Sequence, residues 1–221
     1  MSAIPQEFLT EASRIGLEQG IRVLQGYRLA DTDQGHIDRL LAFMAPRQGT
    51  RWADIGCGFG EVARLMHNTR PDLDFVLINN NAFQLSHAPG MFPTICCDMH
   101  DIPLDDASVD GCMFLYSLCH ASGPFVALSE AARITKPGGT LFVFDYIRHG
   151  SNNRLMQQKL YAAATPWRRQ RIMAAMAGWQ VIALEAPGGD DTVFRRLYDN
   201  DAEYDAIFKY LTPVLWKAVR L

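Results

Sequence analysis

A glycine-rich segment between a strand candidate and a helical pattern constrains this chain more than any other feature of its sequence. The residues before it, 51–55, are suited to a short buried strand, and Val62, Leu65 and Met66 after it recur at helical spacing. The segment itself reads Asp54-Ile55-Gly56-Cys57-Gly58-Phe59-Gly60. Its glycines allow the backbone to approach a ligand closely, and the following helix points its N-terminal N–H groups at the same place. The sequence therefore predicts a ligand-binding strand–turn–helix.

The residue after the third glycine distinguishes between cofactor classes. A dinucleotide-binding fingerprint requires a glycine at the position of Glu61, so a nicotinamide or flavin dinucleotide is disfavoured. Asp54 precedes the first glycine by two residues. A carboxylate at that place can organise the turn and face a cationic ammonium group.

Short strands alternate with helices through the rest of the chain. The strand candidates are residues 51–55, 75–78, 94–97, 109–115, 140–146, 178–182 and 214–220. This alternation predicts an α/β fold with one mostly parallel seven-stranded sheet and helices on both faces. The length of 221 residues suits a single domain. We expect an N-terminal helical cap over 1–48, a cofactor-binding core over 50–146, a helical insert over 150–177 that roofs the site, and the last part of the sheet over 178–221.

Local signals suggest where individual helices begin and end. Asp31 or Asp33 is available to cap the second N-terminal helix, and Thr165-Pro166 is expected to cap and open a helix of the insert. Near the C-terminus a helical pattern runs through Tyr204, Ile207, Phe208 and Leu211.

Composition limits the environment and the partners that are expected. The net charge of −3 creates no general attraction for nucleic acid or anionic membranes. We see no signal peptide and no apolar stretch of membrane-spanning length. The five cysteines lack zinc-type spacing and are interpreted as reduced, buried residues. We therefore expect a cytoplasmic protein with no metal site, no nucleic-acid partner and no membrane insertion, and we leave open whether it forms a homodimer.

Four motifs in a fixed order resemble the class I S-adenosylmethionine-dependent methyltransferases. They are the Asp54-x-Gly56-x-Gly58-x-Gly60 loop, the segment 97–100, Asp110 at the start of the fourth strand, and Lys136-Pro137-Gly138-Gly139 before the fifth. Together they cover roughly the central half of the chain. The resemblance implies a Rossmann-like class I fold, S-adenosylmethionine as cofactor and a methyl-transferring enzyme.

The resemblance also implies which residues contact the cofactor. Gly56, Cys57 and Gly58 would pass beneath its methionine part. Asp98 would accept a hydrogen bond from the adenine amino group, while the backbone N–H of Met99, followed by His100, would reach the adenine ring. The residues bordering the methyl group would be Leu115, Tyr116 and Ser117. Tyr27 could close over the cofactor, although packing in the core is the alternative.

One position departs from the family pattern. The family usually places an acid that binds both ribose hydroxyls at the end of the second strand, where this chain has Asn79 followed by Asn80. An amide can still bind ribose, but more weakly, by something on the order of a kcal/mol. Asn81 and Gln84 complete an Asn-x-x-Gln pattern that resembles the sterol and prenyl-diphosphate C-methyltransferases. The acidic motif that those enzymes carry after the fourth strand is absent here.

Three residues are candidates for catalysis. His120 follows the fourth strand and is the first candidate for a general base, with helix capping or pocket lining as the alternative. Asp145 and Tyr146 end the fifth strand, where side chains can face the crevice, and a buried hydrogen-bond network is their alternative role. Asp190-Asp191 could hold a divalent ion, but a surface turn explains this pair better.

The acceptor is expected to be a small, partly apolar molecule. The motifs of amino-methylating DNA enzymes and the Pro-Cys nucleophile of pyrimidine-methylating enzymes are both missing. The insert carries an apolar set that could roof such an acceptor or simply pack on the sheet: Met156, Leu160, Tyr161, Trp167, Met173 and Met176. Carbon methylation of an isoprenoid or lipid competes with oxygen or nitrogen methylation of a metabolite. A catalytically silent binding subunit is the alternative from another class.

Overall fold

A seven-stranded sheet forms the centre of the molecule. The computed structural model describes residues 5–20, 27–149, 154, 157–158, 162–188 and 201–221. The strands are β1 (Arg51–Ile55), β2 (Asp74–Asn79), β3 (Thr94–Cys96), β4 (Val109–Leu115), β5 (Thr135–Arg148), β6 (Trp179–Glu185) and β7 (Leu211–Arg220). Their order is β3-β2-β1-β4-β5-β7-β6, and β7 runs antiparallel to both of its neighbours while β1 to β5 are parallel. The predicted mostly parallel seven-stranded sheet is confirmed.

Helices cover both faces of this sheet. Their bounds in the described part of the chain are α1 (Gln6–Glu18), α2 (Asp33–Met44), α3 (Glu61–Thr69), α4 (Ala82–Ser86), a 3₁₀ helix (Leu118–His120), α5 (Pro124–Ile134), α6 (Trp167–Met176) and α7 (Asp201–Phe208).

Alternation along the strands divides the core into two clusters. In β2, Phe75 and Leu77 point to the face that α2 and α3 cover, whereas Val76 and Ile78 point to the face of α5 and α6. All four side chains are at most 1% exposed. A parallel strand buried on both faces reads as a continuous apolar run, which is why the strands were recognisable in the sequence.

The order in which strands are added to the sheet reverses beside β1, although β2, β1 and β4 all run parallel. From β1 the chain continues to β2 on one side, and it later returns to place β4 on the other side. The connections that leave the carboxyl ends of β1 and β4 therefore diverge and leave a crevice between them. Ligands of open α/β sheets bind at such a point.

Two helix starts differ from their predictions. The cap of α2 is Thr32, whose hydroxyl accepts a hydrogen bond from the Gly35 N–H at 3.1 Å, because its extended backbone lies immediately before the helix. Asp33 lies inside the helix and pairs with Arg28 instead. The predicted cap Thr165 forms a bridge with β5, and α6 begins only at Trp167.

The last helix and the last strand also differ from the sequence pattern. The helical spacing continues to Leu211, but α7 ends at Phe208 and Leu211 opens β7. Leu211 pairs with Arg148, so β5 continues beyond its predicted end at Tyr146. Backbone pairing with β5 overrides the side-chain periodicity here, since each added pair satisfies polar backbone groups.

The cysteines are free but differ in burial. Cys112 and Cys119 are buried, as predicted, whereas Cys57 and Cys97 are partly exposed and Cys96 is exposed. Cys96 ends the short strand β3 at the edge of the sheet, where no further strand covers it within the described chain. None of the helices described is long and apolar enough to cross a membrane.

Candidate active site

A cleft lies at the carboxyl ends of β1, β2 and β4, at the point where the order of strand addition reverses. Most of the predicted site residues line it: Asp54, Gly56, Cys57, Gly58, Asn79, Asn80, Gln84, Asp98, Met99, His100, Leu115, Tyr116, Ser117 and His120. The structure therefore brings the glycine loop, the end of β2, the segment after β3 and the end of β4 into one place, whereas Asp110 and residues 136–139 do not line the cleft.

The glycine loop supplies the floor of this cleft. Gly56, Gly58 and Gly60 all adopt positive φ angles, of +79°, +56° and +67°. The N–H groups of Gly56 and Cys57 both donate to the Ile78 carbonyl, at 2.8 and 3.1 Å, which fastens the loop to β2. A side chain at Gly56 would collide with Ser117, 2.3 Å from its Cβ, whereas a Cβ at Gly58 would meet open space. Gly56 is thus required for packing, and Gly58 keeps the backbone accessible to a ligand.

Asp54 places a buried carboxyl group beneath the loop. Only 2% of the residue is exposed, and burial raises its pKa from 3.8 to about 7. Burial also raises the pKa of the neighbouring Cys57 thiol, and the charge of Asp54 adds to this effect. Cys57 therefore stays a neutral thiol, and Asp54 is the group in this pair that a cation in the cleft would ionise.

The end of β2 is held by a network of side-chain amides. The Asn79 Nδ2 group donates to the Gln84 Oε1 atom at 2.6 Å and to the Gly58 carbonyl at 3.3 Å, while the Asn79 Oδ1 atom accepts from the Asn80 N–H at 2.9 Å. Asn81 caps α4 by accepting from the Gln84 N–H at 2.8 Å. One lone pair of the Asn79 Oδ1 atom remains for a ligand, so a ribose would receive one acceptor here rather than two.

Asp98 and His100 follow β3 and form a second polar corner. The His100 Nε2 atom accepts from the Gly123 N–H at 3.1 Å, so the proton of the neutral ring lies on Nδ1 and is donated to the Asp98 Oδ1 atom at 2.5 Å. Asp98 also accepts from the His100 N–H at 3.0 Å. These bonds orient the carboxylate toward the cleft and leave its Oδ2 atom available to a donor.

The end of β4 has a strained conformation. Tyr116 has a φ of +54°, and its N–H donates to the Phe144 carbonyl at 2.7 Å. The Ser117 hydroxyl donates to the Ile55 carbonyl at 2.5 Å and so joins β4 to the glycine loop. A non-glycine residue with positive φ is uncommon and is concentrated at functional sites.

The Tyr116 side chain lies among other aromatic rings. Its ring centroid is 4.6 Å from that of Phe144 and 5.0 Å from that of Tyr146. Burial raises the pKa of the Tyr116 hydroxyl well above 10, and the nearby Tyr146 and Asp145 raise it further. Tyr116 therefore faces the cleft as a neutral aromatic residue.

His120 and Asp145 are connected through the short 3₁₀ helix. The Asp145 carboxylate accepts from the Cys119 N–H and from the Tyr146 N–H, each at 2.8 Å. Burial raises the pKa of Asp145 to about 6, although these backbone hydrogen bonds oppose the increase. Asp145 thereby fixes the 3₁₀ helix that carries His120 to the wall of the cleft.

Three predicted site residues do not reach the cleft. Asp145 and Tyr146 lie behind it, around a separate small cavity that Thr165 and Gln170 also line. Successive side chains of β5 point to opposite faces of the sheet: the Asp145 carboxylate accepts from the Cys119 N–H of the 3₁₀ helix, and the Tyr146 ring packs against Phe208 of α7, with 5.4 Å between the centroids. Tyr27 is partly buried against the core cluster of the α2 face and does not close over the site.

The predicted roof is only partly described, and the described part packs on the sheet. Trp167 and Met173 contact the core cluster of the α5 face, and Met176 is 70% exposed. Met156, Leu160 and Tyr161 lie outside the described residues, as do Asp190 and Asp191. Elsewhere in the described chain, no group of three or more His, Cys, Asp or Glu side chains could hold a metal ion.

Several lining residues were missed by the sequence analysis. Leu9 reaches the cleft from α1, and Glu61, Val62 and Phe59 reach it from the glycine loop and α3. Ala121 and Ser122 continue the wall after His120. Apolar residues at helical spacing give no signal of this role. Glu61 could have been predicted to line the cleft, because it directly follows the glycine loop.

A comparison with protein families identifies the fold and the loop together. A family model described as a methyltransferase domain matches residues 53–143, which contain the glycine loop, Asn79, Asp98 and the end of β4. The sheet order, with antiparallel β7 between β5 and β6, agrees with this match. The comparisons support a class I S-adenosylmethionine-dependent methyltransferase, with residues 53–143 matching the methyltransferase domain. These similarities support S-adenosylmethionine as the cofactor.

Curated relatives of this methyltransferase act on different atoms according to their names. A 24-methylenesterol C-methyltransferase 2 of Oryza sativa subsp. japonica is 25% identical over 56% of this chain and 36% of its own length. A sterol 4-C-methyltransferase of Caenorhabditis elegans is 23% identical over 76% of this chain and 56% of its own. A 27-O-demethylrifamycin SV methyltransferase of Amycolatopsis mediterranei is 32% identical over 50% of this chain and 43% of its own length. The chain thus spans only about a third to a half of these relatives.

Solved structures share the fold over the whole methyltransferase. The geranyl diphosphate C-methyltransferase from Streptomyces coelicolor A3(2) has a TM-score of 0.78 at 15% identity, with 100% of both chains covered. The [4+2]-cyclase SpnF has a TM-score of 0.76 at 17% identity, with 100% of this chain and 99% of that chain covered. Because one of these two proteins is a cyclase, the fold alone does not assign the reaction.

The residues of the cleft fit the cofactor of the family. Gly58 leaves open space above the loop, and the buried Asp54 carboxyl group lies where a cation would favour its ionised form. Asp98 offers an exposed acceptor at the other end of the cleft, with 57% of its side chain accessible. The methyltransferase therefore has an acidic group at each end of a crevice whose floor is open backbone.

Proposed function

We propose that the protein transfers a methyl group from S-adenosylmethionine to a small, partly apolar acceptor. The observation that carries this proposal is the convergence of the glycine loop, Asp98 and His120 on one cleft. The cofactor supplies a methyl group already activated by its sulfonium. The protein then has to bind the cofactor and the acceptor, align them and exclude water from the site. It also has to accommodate one proton released by the acceptor.

Contacts of the cleft support a role for each cofactor residue. Asp54 and the open backbone of Gly58 would hold the methionine part beside Gly56, with the carboxylate facing the ammonium group. The Asn79 Oδ1 atom can accept from one ribose hydroxyl, since its second lone pair is left by the network. Asp98 is placed to accept from the adenine amino group, because His100 engages only its Oδ1 atom.

The acceptor would lie beyond the end of β4. Leu115, Tyr116 and Ala121 give this part of the wall an apolar and aromatic character, and His120 adds the nearest imidazole. The methyl group would pass to the acceptor atom, and His120 would take the proton that this atom loses. Asp145 acts behind it as a positioning residue through the Cys119 N–H.

Carbon methylation of an isoprenoid or lipid-like alkene is the first candidate for the finer reaction. The Asn79-to-Gln84 pattern supports it, and so does the aromatic face of Tyr116, because such a reaction passes through a cation that aromatic rings stabilise. Oxygen methylation is the second candidate, and the rifamycin methyltransferase match favours it. A cytoplasmic location stays a prediction.

Product analysis with an isotopically labelled methyl donor tests the proposal. The purified protein is incubated with labelled S-adenosylmethionine and a panel of prenyl diphosphates, sterols, phenols and amines, and the labelled atom is located by NMR. Label on carbon supports the first candidate, and label on oxygen or nitrogen supports the others. Binding of S-adenosylhomocysteine without transfer to any acceptor would favour a silent binding subunit or a cyclase-type reaction instead.

A further inference from the structure

Helix α1 is attached to the cofactor loop by a directed chain of buried hydrogen bonds. The Ser13 hydroxyl donates to the Leu9 carbonyl at 2.6 Å, so its oxygen can accept from the Gln84 Nε2 group at 2.7 Å. This fixes the orientation of the Gln84 amide, whose Oε1 atom accepts from Asn79. Asn79 in turn donates to the Gly58 carbonyl. Each bond determines the direction of the next.

The members of this chain are shielded from water. Ser13 is 0% exposed, Gln84 3% and Asn79 6%. A buried polar group that loses its partner pays most of its desolvation cost, so such networks are stable only when they are complete. The hydrogen bonds through Ser13, Gln84 and Asn79 therefore form or break together rather than as three separate contacts.

The same helix reaches the cleft directly. Leu9 lies one turn before Ser13 and lines the cleft beside the glycine loop. Gln6 and Thr10, on the same part of α1, accept from the Asn81 Nδ2 group at 2.9 and 3.0 Å. The side-chain amides of Asn81 and Gln84 thus hold α1, and the adjacent amide of Asn79 holds the glycine loop beneath it.

We propose that Gln84 is a positioning residue that couples the docking of α1 to cofactor binding at the glycine loop. This inference rests on the proposed function only in requiring that the cleft binds the cofactor. A bound cofactor that orders Gly58 and Asn79 also orders Gln84 and Ser13. Docking of α1 then places Leu9 over the ligand and excludes water from the reacting atoms.

Ser13→Ala is the most selective test, because Ser13 does not line the cleft. We expect about threefold to tenfold weaker binding of S-adenosylhomocysteine by calorimetry, corresponding to the loss of one neutral hydrogen bond. The matched control is Ser129→Ala. The Ser129 hydroxyl makes the same type of bond to the carbonyl four residues earlier, at 2.9 Å, on the exposed side of α5. This control should bind as the wild type does.

Hydrogen–deuterium exchange separates coupling from a general loss of stability. In the wild type, S-adenosylhomocysteine should slow exchange in residues 5–20 as well as in the glycine loop. In Ser13→Ala the ligand should still protect the loop, but α1 should gain much less protection. Gln84→Met, which keeps the side-chain length and removes both bonds, should behave in the same way and provides a second variant if Ser13→Ala does not fold.

The outcomes distinguish the inference from the proposed function. Equal affinity and equal α1 protection in wild type and both variants would overturn the coupling and leave the proposed function intact. Absence of S-adenosylhomocysteine binding by the folded wild-type protein would overturn the proposed function, and the coupling with it.

Discussion

The side-chain amide nitrogen of Asn79 donates to the side-chain oxygen of Gln84 at 2.6 Å. A carboxylate could not make this bond, because the partners at this end of Asn79, the Gln84 Oε1 atom and the Gly58 carbonyl, are both acceptors. The relationship accounts for a neutral residue at a position where related enzymes usually have an acid. The amide is needed to hold the loop and helix α1.

Asn79→Asp should therefore destabilise the protein although it restores the usual acid. We expect the unfolding free energy to fall by about 1 to 3 kcal/mol, since a buried carboxylate would face two carbonyl oxygens. Denaturant unfolding without ligand measures the change. Asn80→Asp is the matched control, because Asn80 is partly exposed and its side chain is not part of the chain to α1. Equal stability of the two variants would contradict the prediction.

Cofactor binding should weaken as the pH falls below about 7. Asp54 is protonated below its raised pKa, whereas the ammonium of the ligand favours the carboxylate, so each pH unit below the pKa should raise the dissociation constant by up to about tenfold. Titration of S-adenosylhomocysteine over a pH series checks this. Asp54→Asn should bind more weakly at high pH and show a much flatter profile. An unchanged slope would exclude Asp54 as the titrating group.

The same carboxyl group should affect the stability of the unliganded protein in the opposite direction. Its folded pKa of about 7 lies above the ordinary aspartate pKa of 3.8, so the folded state binds the proton more tightly. The resulting stabilisation is complete below the unfolded pKa and is lost as the pH rises through about 7. Comparing unfolding of the wild type and Asp54→Asn with pH isolates this contribution.

His36 should make the protein sensitive to acid. It is buried, its Nδ1 atom accepts from the Leu29 N–H at 3.0 Å, and burial, with the charge of Arg28 adding to it, lowers its pKa from 6.5 to about 4. Its contribution to stability is present above pH 6.5 and is lost as the pH falls through about 4, by up to about 3 kcal/mol.

The measurement for His36 is the pH dependence of unfolding in matched variants. The stability advantage of the wild type over His36→Gln should shrink between pH 6.5 and about 4. His87→Gln alters an exposed histidine and is the matched control for the substitution itself. A constant difference between wild type and His36→Gln at all pH values would show that His36 does not titrate in this range.

Alanine substitutions at Gly56 and Gly58 should affect different properties, stability at Gly56 and cofactor binding at Gly58. Gly56→Ala places a Cβ 2.3 Å from that of Ser117 and should cost about 2 kcal/mol or more. Gly58→Ala meets no atom within 4 Å and should cost only about 1 kcal/mol, for the left-handed backbone. Its methyl group nevertheless enters the cleft, so it should fold and lose cofactor affinity. Thermal unfolding of both variants measures the loss of stability, and calorimetry measures the loss of cofactor affinity.

His120→Ala should slow methyl transfer without weakening cofactor binding. Removal of a general base typically reduces turnover by about 10² to 10⁴, and His120 lines the cleft beyond the end of β4, where we propose that the acceptor binds. Single-turnover rates and S-adenosylhomocysteine affinity are compared with those of His87→Ala. If binding and turnover fall together, His120 is a structural residue of the 3₁₀ helix.

The sequence by itself determined the sheet and the cofactor site to a large extent. Buried parallel strands are apolar runs, and the glycine loop lies between one of them and a helix, so both features are local in the chain. The roles of Asn79, Asp98 and Tyr116 were expectations from the family resemblance. The fold brings these residues and Asp54 to one cleft because parallel strands place their carboxyl ends at one edge.

Only the tertiary structure decided which neighbours these residues have. From its position at the end of β5, Asp145 was a candidate either for catalysis or for a buried hydrogen-bond network, and in the fold its carboxylate accepts from the Cys119 N–H behind the cleft, where it fixes the 3₁₀ helix. Leu9 and Ser13 carried no signal because their roles depend on a contact with Gln84 more than seventy residues away. The direction of a hydrogen bond between distant amides is set by all its partners together, and no local pattern records it.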